Sequence, residues 1–249
     1  MKILVHGAGG HMGQVVCRMA EEGRYGARLM AQVSPEFSTN PINDVYSNLD
    51  AFEETVDVVV DFSNPKSTEA LLNYCIEKKF PVVIATTGQT EADKSLIKQA
   101  SEKIPVFFSA NMSVGIAVLS EIARKVAAVF PDADIEIVEK HHNRKMDVPS
   151  GTALLLANSI HEARTDAEFV IGRHENGRRR HQEIGIHSLR LGNEAGTHEI
   201  IITNGNETIT LKHEAENRDL FAEGALKAAA FLVGKEPGLY NMKDLLGNK

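Results

Sequence analysis

The stretch that decides the fold lies at the N-terminus and reads Lys2-Ile3-Leu4-Val5-His6-Gly7-Ala8-Gly9-Gly10-His11-Met12-Gly13. Its first five residues are a short apolar run that predicts a β-strand, and apolar residues then recur at helical spacing from Met12 to Met19. Glycines at 7, 10 and 13 form a GxxGxxG pattern between the two. A backbone without side chains can approach a pyrophosphate, whose charge is met by amides at the helix N-terminus. The stretch predicts a dinucleotide-binding loop; the alternative is a tight turn that holds no ligand.

The alternation of strand and helix continues through the first hundred residues. Further strands are predicted over 27–33, 57–62, 81–86 and 104–109, and helices over 65–79 and 90–102. Alternating βα units predict a parallel sheet with helices on both faces. We therefore expect an α/β domain with a Rossmann-like parallel sheet.

The order of predicted strands and helices changes after residue 113. A long amphipathic helix is predicted over 113–130, a strand over 135–141, a helix over 150–162, a polar loop over 163–182, and strands over 183–191, 197–203 and 208–214. Strands without intervening helices predict a smaller α+β domain with a mixed or antiparallel sheet. A last helix is expected from Asp219, as N-cap, to Val233. We predict a dinucleotide-binding domain over 1–112 and 219–249, and a substrate-binding and oligomerisation domain over 113–218.

Composition excludes several classes of protein. The 249 residues carry a formal charge of −7, with 43% apolar and 24% charged residues, so bulk disorder is excluded and a nucleic-acid partner is disfavoured. No apolar run approaches the ~18 residues of a membrane span. Cys17 and Cys75 both fall in predicted helices, which favours reduced, buried thiols. We expect a soluble, cytoplasmic protein without a membrane partner.

Two further loops end strands of the predicted parallel sheet, Ala85-Thr86-Thr87-Gly88 and Ser109-Ala110-Asn111-Met112. Ligands of open α/β sheets lie beyond the carboxyl ends of the strands, so these loops can meet the nicotinamide half of a cofactor. Capping of the next helix is the alternative. The acidic residue that binds the ribose 2′-hydroxyl is not found at the end of the second strand, where no acid precedes Glu36. NADH and NADPH therefore stay equally possible.

The highest density of candidate catalytic residues begins on the predicted strand 135–141. Ile135, Ile137, Glu139 and His141 share one face by the period of two, which places an imidazole near a carboxylate on the apolar side. Such a histidine is suited to proton transfer near neutral pH. A histidine satisfied in the core is the alternative, and the neighbouring His142 and Lys145 argue against it.

An anion site is predicted where Ser150-Gly151-Thr152 begins a helix after Pro149. Backbone N–H groups of a first helical turn bind anions, and Lys145 adds a charge nearby. This describes a pocket for a small carboxylate, whereas the plainer alternative is an N-cap alone. A metal site is disfavoured because no HxH, HExxH or Cys–His pattern is present.

The segment Glu139-x-His141-His142-x-x-Lys145-x-Asp147-x-Pro149-Ser150-Gly151-Thr152-Ala153 closely resembles the signature of the 4-hydroxy-tetrahydrodipicolinate (dihydrodipicolinate) reductase family. The resemblance extends over nearly the whole chain. It includes the Gly7–Gly13 loop and the segments 61–63, 85–88, 111–115, 183–187, 221–225 and 237–240.

The resemblance implies a cyclic dicarboxylate substrate, hydride transfer from NADH or NADPH to C4 of its ring, loss of water, and a place in lysine synthesis through diaminopimelate. It implies His141 as proton donor and acceptor and Lys145 as proton donor, with substrate bound by His142, Ser150, Gly151 and Thr152. The implied cofactor-binding residues are Gly7, Ala8, Gly9, Gly10, His11, Met12, Gly13, Ala85, Thr86, Thr87, Ser109, Ala110, Asn111 and Met112. The family also assembles as homotetramers through the sheet of its second domain.

The chain departs from the family at three cofactor-side positions. His11 stands where Arg is usual, Ala85 where Gly is common, and Met112 where Phe is common. The sequence disfavours two other functions. A semialdehyde dehydrogenase would need a nucleophilic cysteine in a substrate loop, and a dinucleotide-sensing regulator would need a basic DNA-reading element; the sequence offers neither.

Overall fold

The computed structural model describes residues 1–247 and divides into two compact units. The first comprises Met1–Ser113 and the chain from Asp219 onward, and the second comprises Val114–Arg218. The strands are β1 (Lys2–His6), β2 (Arg28–Val33), β3 (Val45–Tyr46), β4 (Val58–Asp61), β5 (Val82–Ile84), β6 (Pro105–Phe108), β7 (Asp134–His141), β8 (Glu168–Ile171), β9 (Glu183–Arg190), β10 (Thr197–Thr203), β11 (Thr208–Glu214) and β12 (Gly238–Tyr240). The α-helices are α1 (His11–Glu21), α2 (Thr68–Lys78), α3 (Glu91–Ser101), α4 (Val114–Val129), α5 (Gly151–His161), α6 (Asp219–Leu232) and α7 (Met242–Leu245).

The first unit is built on a seven-stranded parallel sheet in the order β12-β6-β5-β4-β1-β2-β3. Its central strands are apolar on both faces, as expected where helices cover both sides of a sheet. Leu4, Val59 and Val82 point to one face and pack with Leu71 of α2 and Ile97 of α3. Helices α1 and α6 pack together, and α6 also contacts β4, β5 and β6. The predicted Rossmann-like sheet is confirmed.

The second unit contains a five-stranded mixed sheet in the order β11-β10-β7-β9-β8. β7 is parallel to β9 and antiparallel to β10, so it lies at the centre of the sheet. Its buried face forms one apolar cluster with α4 and α5, to which Ile135, Ile137, Ile186 and Ile200 contribute. The predicted mixed sheet and the two predicted helices, 113–130 and 150–162, are present with ends shifted by one residue.

Three short strands were missed in the sequence. β8 lies inside the segment predicted as a polar loop, and β3 and β12 are only two and three residues long. Each pairs at the edge of a sheet, where hydrogen bonding to one neighbouring strand defines it and hydrophobic periodicity is absent. Asp219, expected as an N-cap, lies within the first turn of α6.

The two cysteines lie where the sequence places them, in α1 and α2, and both are buried and unpaired. Burial raises the pKa of Cys17 to about 12, so this thiol stays protonated at neutral pH. Among the helices described, none has the length and apolar character needed to cross a bilayer.

Candidate active site

The glycine loop closes tightly between β1 and α1. Gly7 has a φ of +83°, and a Cβ atom at this position would lie 2.6 Å from the carbonyl oxygen of Phe62. A Cβ atom on Gly13 would collide with the carbonyl oxygen of Gly7. Only glycine satisfies both positions, because the first needs a left-handed backbone and the second needs direct contact between helix and loop.

The N-terminus of α1 is arranged to receive an anion. Its N-cap is Gly10, which provides no side-chain cap, and its first turn carries no acidic residue. The amide groups of this turn and the positive end of the helix dipole therefore remain for a ligand. Around them, His11 is exposed, Met12 half-buried and Ala8 buried.

A cleft of about 760 Å³ opens beside the glycine loop, large enough for a nucleoside. Its wall includes Gly7, Gly10, Ser34 and Glu36. A Cβ atom on Gly9 would lie 2.7 Å from both Glu36 Oε2 and Ser34 Oγ, so the carboxylate lies directly over the loop. The sequence has no acid at the end of the second strand before Glu36, and in the structure the turn after β2 returns Glu36 itself to the loop.

A buried histidine–aspartate pair lies under the same cleft and was not identified in the sequence. His6 Nδ1 lies 2.9 Å from Asp61 Oδ1, and both side chains are buried. Asp61 also accepts a hydrogen bond from the Ser63 hydroxyl at 2.6 Å. Neighbouring parallel strands β1 and β4 end here, and their register places His6 beside Asp61.

The two other predicted cofactor loops also follow strands of the parallel sheet. Thr86, after β5, is buried, and its hydroxyl has no hydrogen-bonding partner among the described residues, whereas Thr87 is exposed and Ala85 buried. After β6, Ser109 Oγ donates to the Asn111 carbonyl oxygen at 2.7 Å. Ala110 is exposed, and Met112 is buried with its carbonyl oxygen against Gly224 of α6.

These features fit a dinucleotide. The glycine cradle admits a pyrophosphate, the acid over Gly9 is placed for a ribose hydroxyl, and the orphaned Thr86 hydroxyl offers a hydrogen bond to a polar ligand group. Most of these groups follow the carboxyl ends of strands in one parallel sheet. Because the strands were predicted from the sequence, the positions of these groups could be predicted as well.

In the second unit, His141 ends β7 on its buried face, as predicted. Its Nδ1 lies 2.5 Å from Oε2 of Glu139, which is fully buried. Arg190 forms a two-pronged ion pair with the same carboxylate, with N–O distances of 2.9 and 2.8 Å. Burial acts to raise the pKa of Glu139, but the hydrogen bonds from His141 and Arg190 outweigh it and hold this pKa well below its usual range.

The helix α5 begins at the predicted anion site. Ser150 is its N-cap, and the Ser150 hydroxyl accepts from Ala153 N at 3.2 Å. That hydroxyl also lies 3.2 Å from His198 Nε2, while Ser150 N donates to Glu139 Oε1 at 3.2 Å. Ser150 is therefore buried and engaged with the protein, whereas Gly151 is exposed and Thr152 half-buried in the first turn.

Positive charge surrounds His142. Its Nε2 lies 3.3 Å from a guanidinium nitrogen of Arg218. Partial burial, together with the charges of Arg144, Arg218 and Lys145, lowers the pKa of His142, which keeps its ring neutral. Lys145 is mostly buried, and its ammonium lies 2.8 Å from Asp147 Oδ1. This cationic surrounding is suited to a small dianion.

Three residues of this site were not identified in the sequence: Arg190, His198 and Arg218. Arg190 is the register partner of His141 across β7 and β9, and His198 lies on β10 next to the same strand. Arg218 lies 76 positions from His142. No local pattern marks them, because strand pairing brings Arg190 and His198 to the site and the segment between β11 and α6 brings Arg218. The described residues contain no cluster of three or more metal-ligating side chains.

Comparison with known proteins identifies the family of this chain. The N-terminal model of dihydrodipicolinate reductase matches residues 1–112, and the C-terminal model matches residues 115–246. The 4-hydroxy-tetrahydrodipicolinate reductase of Caldanaerobacter subterraneus subsp. tengcongensis is 43% identical over 99% of this chain and 98% of the relative. The enzyme of the same name from Clostridium tetani is 40% identical, covering 100% and 98%.

Solved structures show the same fold. A dipicolinate-bound dihydrodipicolinate reductase from Paenisporosarcina sp. TG-14 superposes with a TM-score of 0.79 at 24% identity, covering 97% of each chain. A diaminopimelate dehydrogenase from C. glutamicum gives a TM-score of 0.59 at 12% identity, covering 100% of this chain and 96% of the other. With both family models matched across nearly its full length, this chain belongs to the dihydrodipicolinate reductase family.

Proposed function

We propose that this protein reduces 4-hydroxy-tetrahydrodipicolinate to tetrahydrodipicolinate, with loss of water, in the diaminopimelate route to lysine. NADH or NADPH, when bound, supplies the hydride. The observation that carries the proposal is the joint presence of a proton-transfer histidine, an ammonium group and a helix N-terminus in one cationic site, in a chain of this family.

The residues of the second unit have separate tasks in this reaction. Nδ1 of His141 is held by Glu139, so Nε2 is the nitrogen that exchanges a proton with the substrate. The Lys145 ammonium donates the proton that the reduced ring requires. The first turn of α5, with Gly151 and Thr152, binds one ring carboxylate, and His142 orients the substrate beside it. Ser150 contributes by fixing this turn.

The first unit takes the dinucleotide. Gly7 to Gly13 hold the pyrophosphate, and the loops at 85–87 and 109–112 hold the nicotinamide half. The structure favours NADH over NADPH, because a carboxylate at Glu36 accepts a hydrogen bond from a 2′-hydroxyl and repels a 2′-phosphate.

We also propose that four copies assemble through the sheet of the second unit, in a reducing cytoplasm. The sheet face turned away from the core carries partly exposed apolar side chains at Val138, Leu189 and Ile201, which a second copy would cover. Light scattering after gel filtration tests the assembly, and a monomer would contradict it. The free thiols of Cys17 and Cys75 agree with a reducing compartment.

The deciding experiment is a reductase assay with freshly prepared substrate, in which the loss of NADH or NADPH absorbance is followed in parallel. We expect turnover with both cofactors and a higher kcat/KM with NADH. Pyridine-2,6-dicarboxylate should compete with the substrate. Absence of turnover with either cofactor, at substrate concentrations where a characterised relative is active, would contradict the proposed function.

A further inference from the structure

The buried carboxylate of Glu139 joins three separate segments of the second unit. Oε2 accepts hydrogen bonds from His141 Nδ1 at 2.5 Å and Arg190 Nη1 at 2.9 Å. Oε1 accepts from Arg190 Nη2 at 2.8 Å and from the Ser150 amide at 3.2 Å. Arg190 in turn donates to the carbonyl oxygen of Asp147 at 2.7 Å. One side chain thus contacts the proton-transfer histidine and the start of the anion-binding helix.

The ionisation of Glu139 determines the tautomer of His141. A carboxylate without solvent contact is stable only when it is paired and hydrogen-bonded, and Arg190 provides the pairing. An ionised carboxylate has no hydrogen to donate, so the hydrogen between it and His141 belongs to Nδ1. Nε2 is then the only ring nitrogen whose protonation can change during turnover.

A glycine lies close to that nitrogen. Gly196 is buried between β9 and β10, and a Cβ atom there would lie 3.1 Å from Nε2 of His141. With a φ of +155°, this position also disfavours any residue with a side chain. A side chain at position 196 would therefore crowd the nitrogen that is proposed to exchange the proton.

We infer that Glu139 is a positioning residue of the reductase, which fixes Nε2 of His141 as the proton-exchanging nitrogen and anchors the first turn of the anion-binding helix through the Ser150 amide. The inference rests on the proposed function for the identity of the substrate. It deepens that function by coupling proton transfer and carboxylate binding through a single side chain.

The charged and titratable groups around His141 decide the direction of the pH effect. They are Glu139 on the same strand, Arg190 from β9 on the same carboxylate, His198 from β10 and the adjacent His142. Glu139 is the only anion among them. Without its charge, the ring at position 141 would face the Arg190 guanidinium and neutral imidazoles alone, an environment that disfavours a positive charge on it.

The same strand offers a matched control. Glu136, on the opposite face of β7, contacts His187 Nε2 at 2.8 Å and the guanidinium of Arg179 at 3.3 Å. Glu136 therefore has the same kinds of partner as Glu139, a histidine and an arginine, but it does not contact α5. Glu136→Gln removes a comparable charge from the sheet while leaving the proposed site intact.

The test compares Glu139→Gln, Glu139→Asp and Glu136→Gln in steady-state assays across pH, with pyridine-2,6-dicarboxylate titrations by calorimetry. For Glu139→Gln we expect kcat to fall on the order of 10²-fold, since that is the usual contribution of a positioned acid or base. We also expect its kcat–pH profile to move to lower pH and its dicarboxylate affinity to weaken. Glu139→Asp should keep the wild-type pH profile with a reduced kcat, and Glu136→Gln should change neither. NADH affinity should be the same in all four proteins.

A spectroscopic readout separates this role from general stabilisation. In protein labelled with ¹⁵N-histidine, with His141→Gln used for assignment, we expect the Nδ1–H tautomer of His141 in the wild type and a mixture in Glu139→Gln.

A folded Glu139→Gln that keeps wild-type kcat, pH profile and tautomer would overturn the inference. If Glu139→Gln does not fold, wild-type kcat in Glu139→Asp would overturn it, and reduced kcat at unchanged pH profile would support it. If the wild type lacks reductase activity, the proposed function fails, while the tautomer and dicarboxylate affinity still decide the role of Glu139.

Discussion

The imidazole rings of His141 and His198 meet edge to face, with centroids 5.1 Å apart and planes inclined at 74°. His198 is almost fully buried on β10, and its Nε2 contacts the hydroxyl of Ser150. Burial, reinforced by the neighbouring His141, lowers the pKa of His198 to about 3. His141 is thus packed against a second histidine that stays neutral at neutral pH.

The lowered pKa of His198 predicts how stability depends on pH. Unfolded His198 takes up a proton near pH 6.5, whereas the folded protein does so only near pH 3. Its contribution to stability is complete above pH 6.5 and is lost as the pH falls towards 3, by at most about 1.4 kcal/mol per pH unit. His198→Gln should therefore reduce the acid sensitivity of the free energy of unfolding. Urea unfolding of both proteins at pH 7, 6 and 5 measures it, and parallel pH dependences would contradict this assignment.

His141 and Lys145 should affect turnover far more than cofactor binding. We expect His141→Gln and Lys145→Ala each to lower kcat by roughly 10² to 10⁴-fold, the range typical of a general acid or base. The dissociation constant of NADH should not change, because both residues belong to the second unit. His187→Gln removes a histidine that also contacts a glutamate but lies on the opposite face of the sheet, so it serves as the control. Wild-type kcat in both active-site variants would exclude the mechanism.

Gly13→Ala should abolish tight cofactor binding. The added methyl group would collide with the Gly7 carbonyl oxygen, so α1 must move away from the loop that we propose holds the pyrophosphate. We expect NADH affinity to fall by at least about tenfold, as expected when a pyrophosphate loop loses its close packing. Gly177→Ala is the control, because a Cβ atom there meets open space. Fluorescence titration with NADH measures both variants, and an unchanged affinity in Gly13→Ala would remove the loop from the cofactor site.

Glu36→Gln should shift cofactor preference towards NADPH. The substitution keeps a hydrogen-bonding oxygen over the loop but removes the charge that repels a 2′-phosphate. We expect the NADH to NADPH ratio of kcat/KM to fall about tenfold, equivalent to about 1.4 kcal/mol. Glu77 lines the same cleft from α2, so Glu77→Gln controls for a general change in charge. An unchanged ratio in Glu36→Gln, or an equal shift in Glu77→Gln, would show that Glu36 does not select the cofactor.

Local patterns in the sequence predicted the parts of this molecule that local physics determines. The apolar run before Gly7 and the helical spacing after Gly13 predicted the strand, loop and helix that the structure contains. Alternation along β7 placed Glu139 and His141 on its buried face, and Ser150 was identified as an N-cap. Each of these depends on residues within one turn of helix or a few steps of strand.

Only the tertiary structure decided which distant side chains complete the sites. The register of β7 against β9 brings Arg190 to Glu139 across 51 positions, and the fold brings Arg218 to His142 across 76. The turn after β2 returns Glu36 to Gly9, so the first acid after the second strand lies over the glycine loop. Strand register and turn direction depend on the packing of whole sheets, because every strand must bury its apolar face at once. A single sequence shows its own periodicity, but the neighbour of each strand is set only when the sheet assembles.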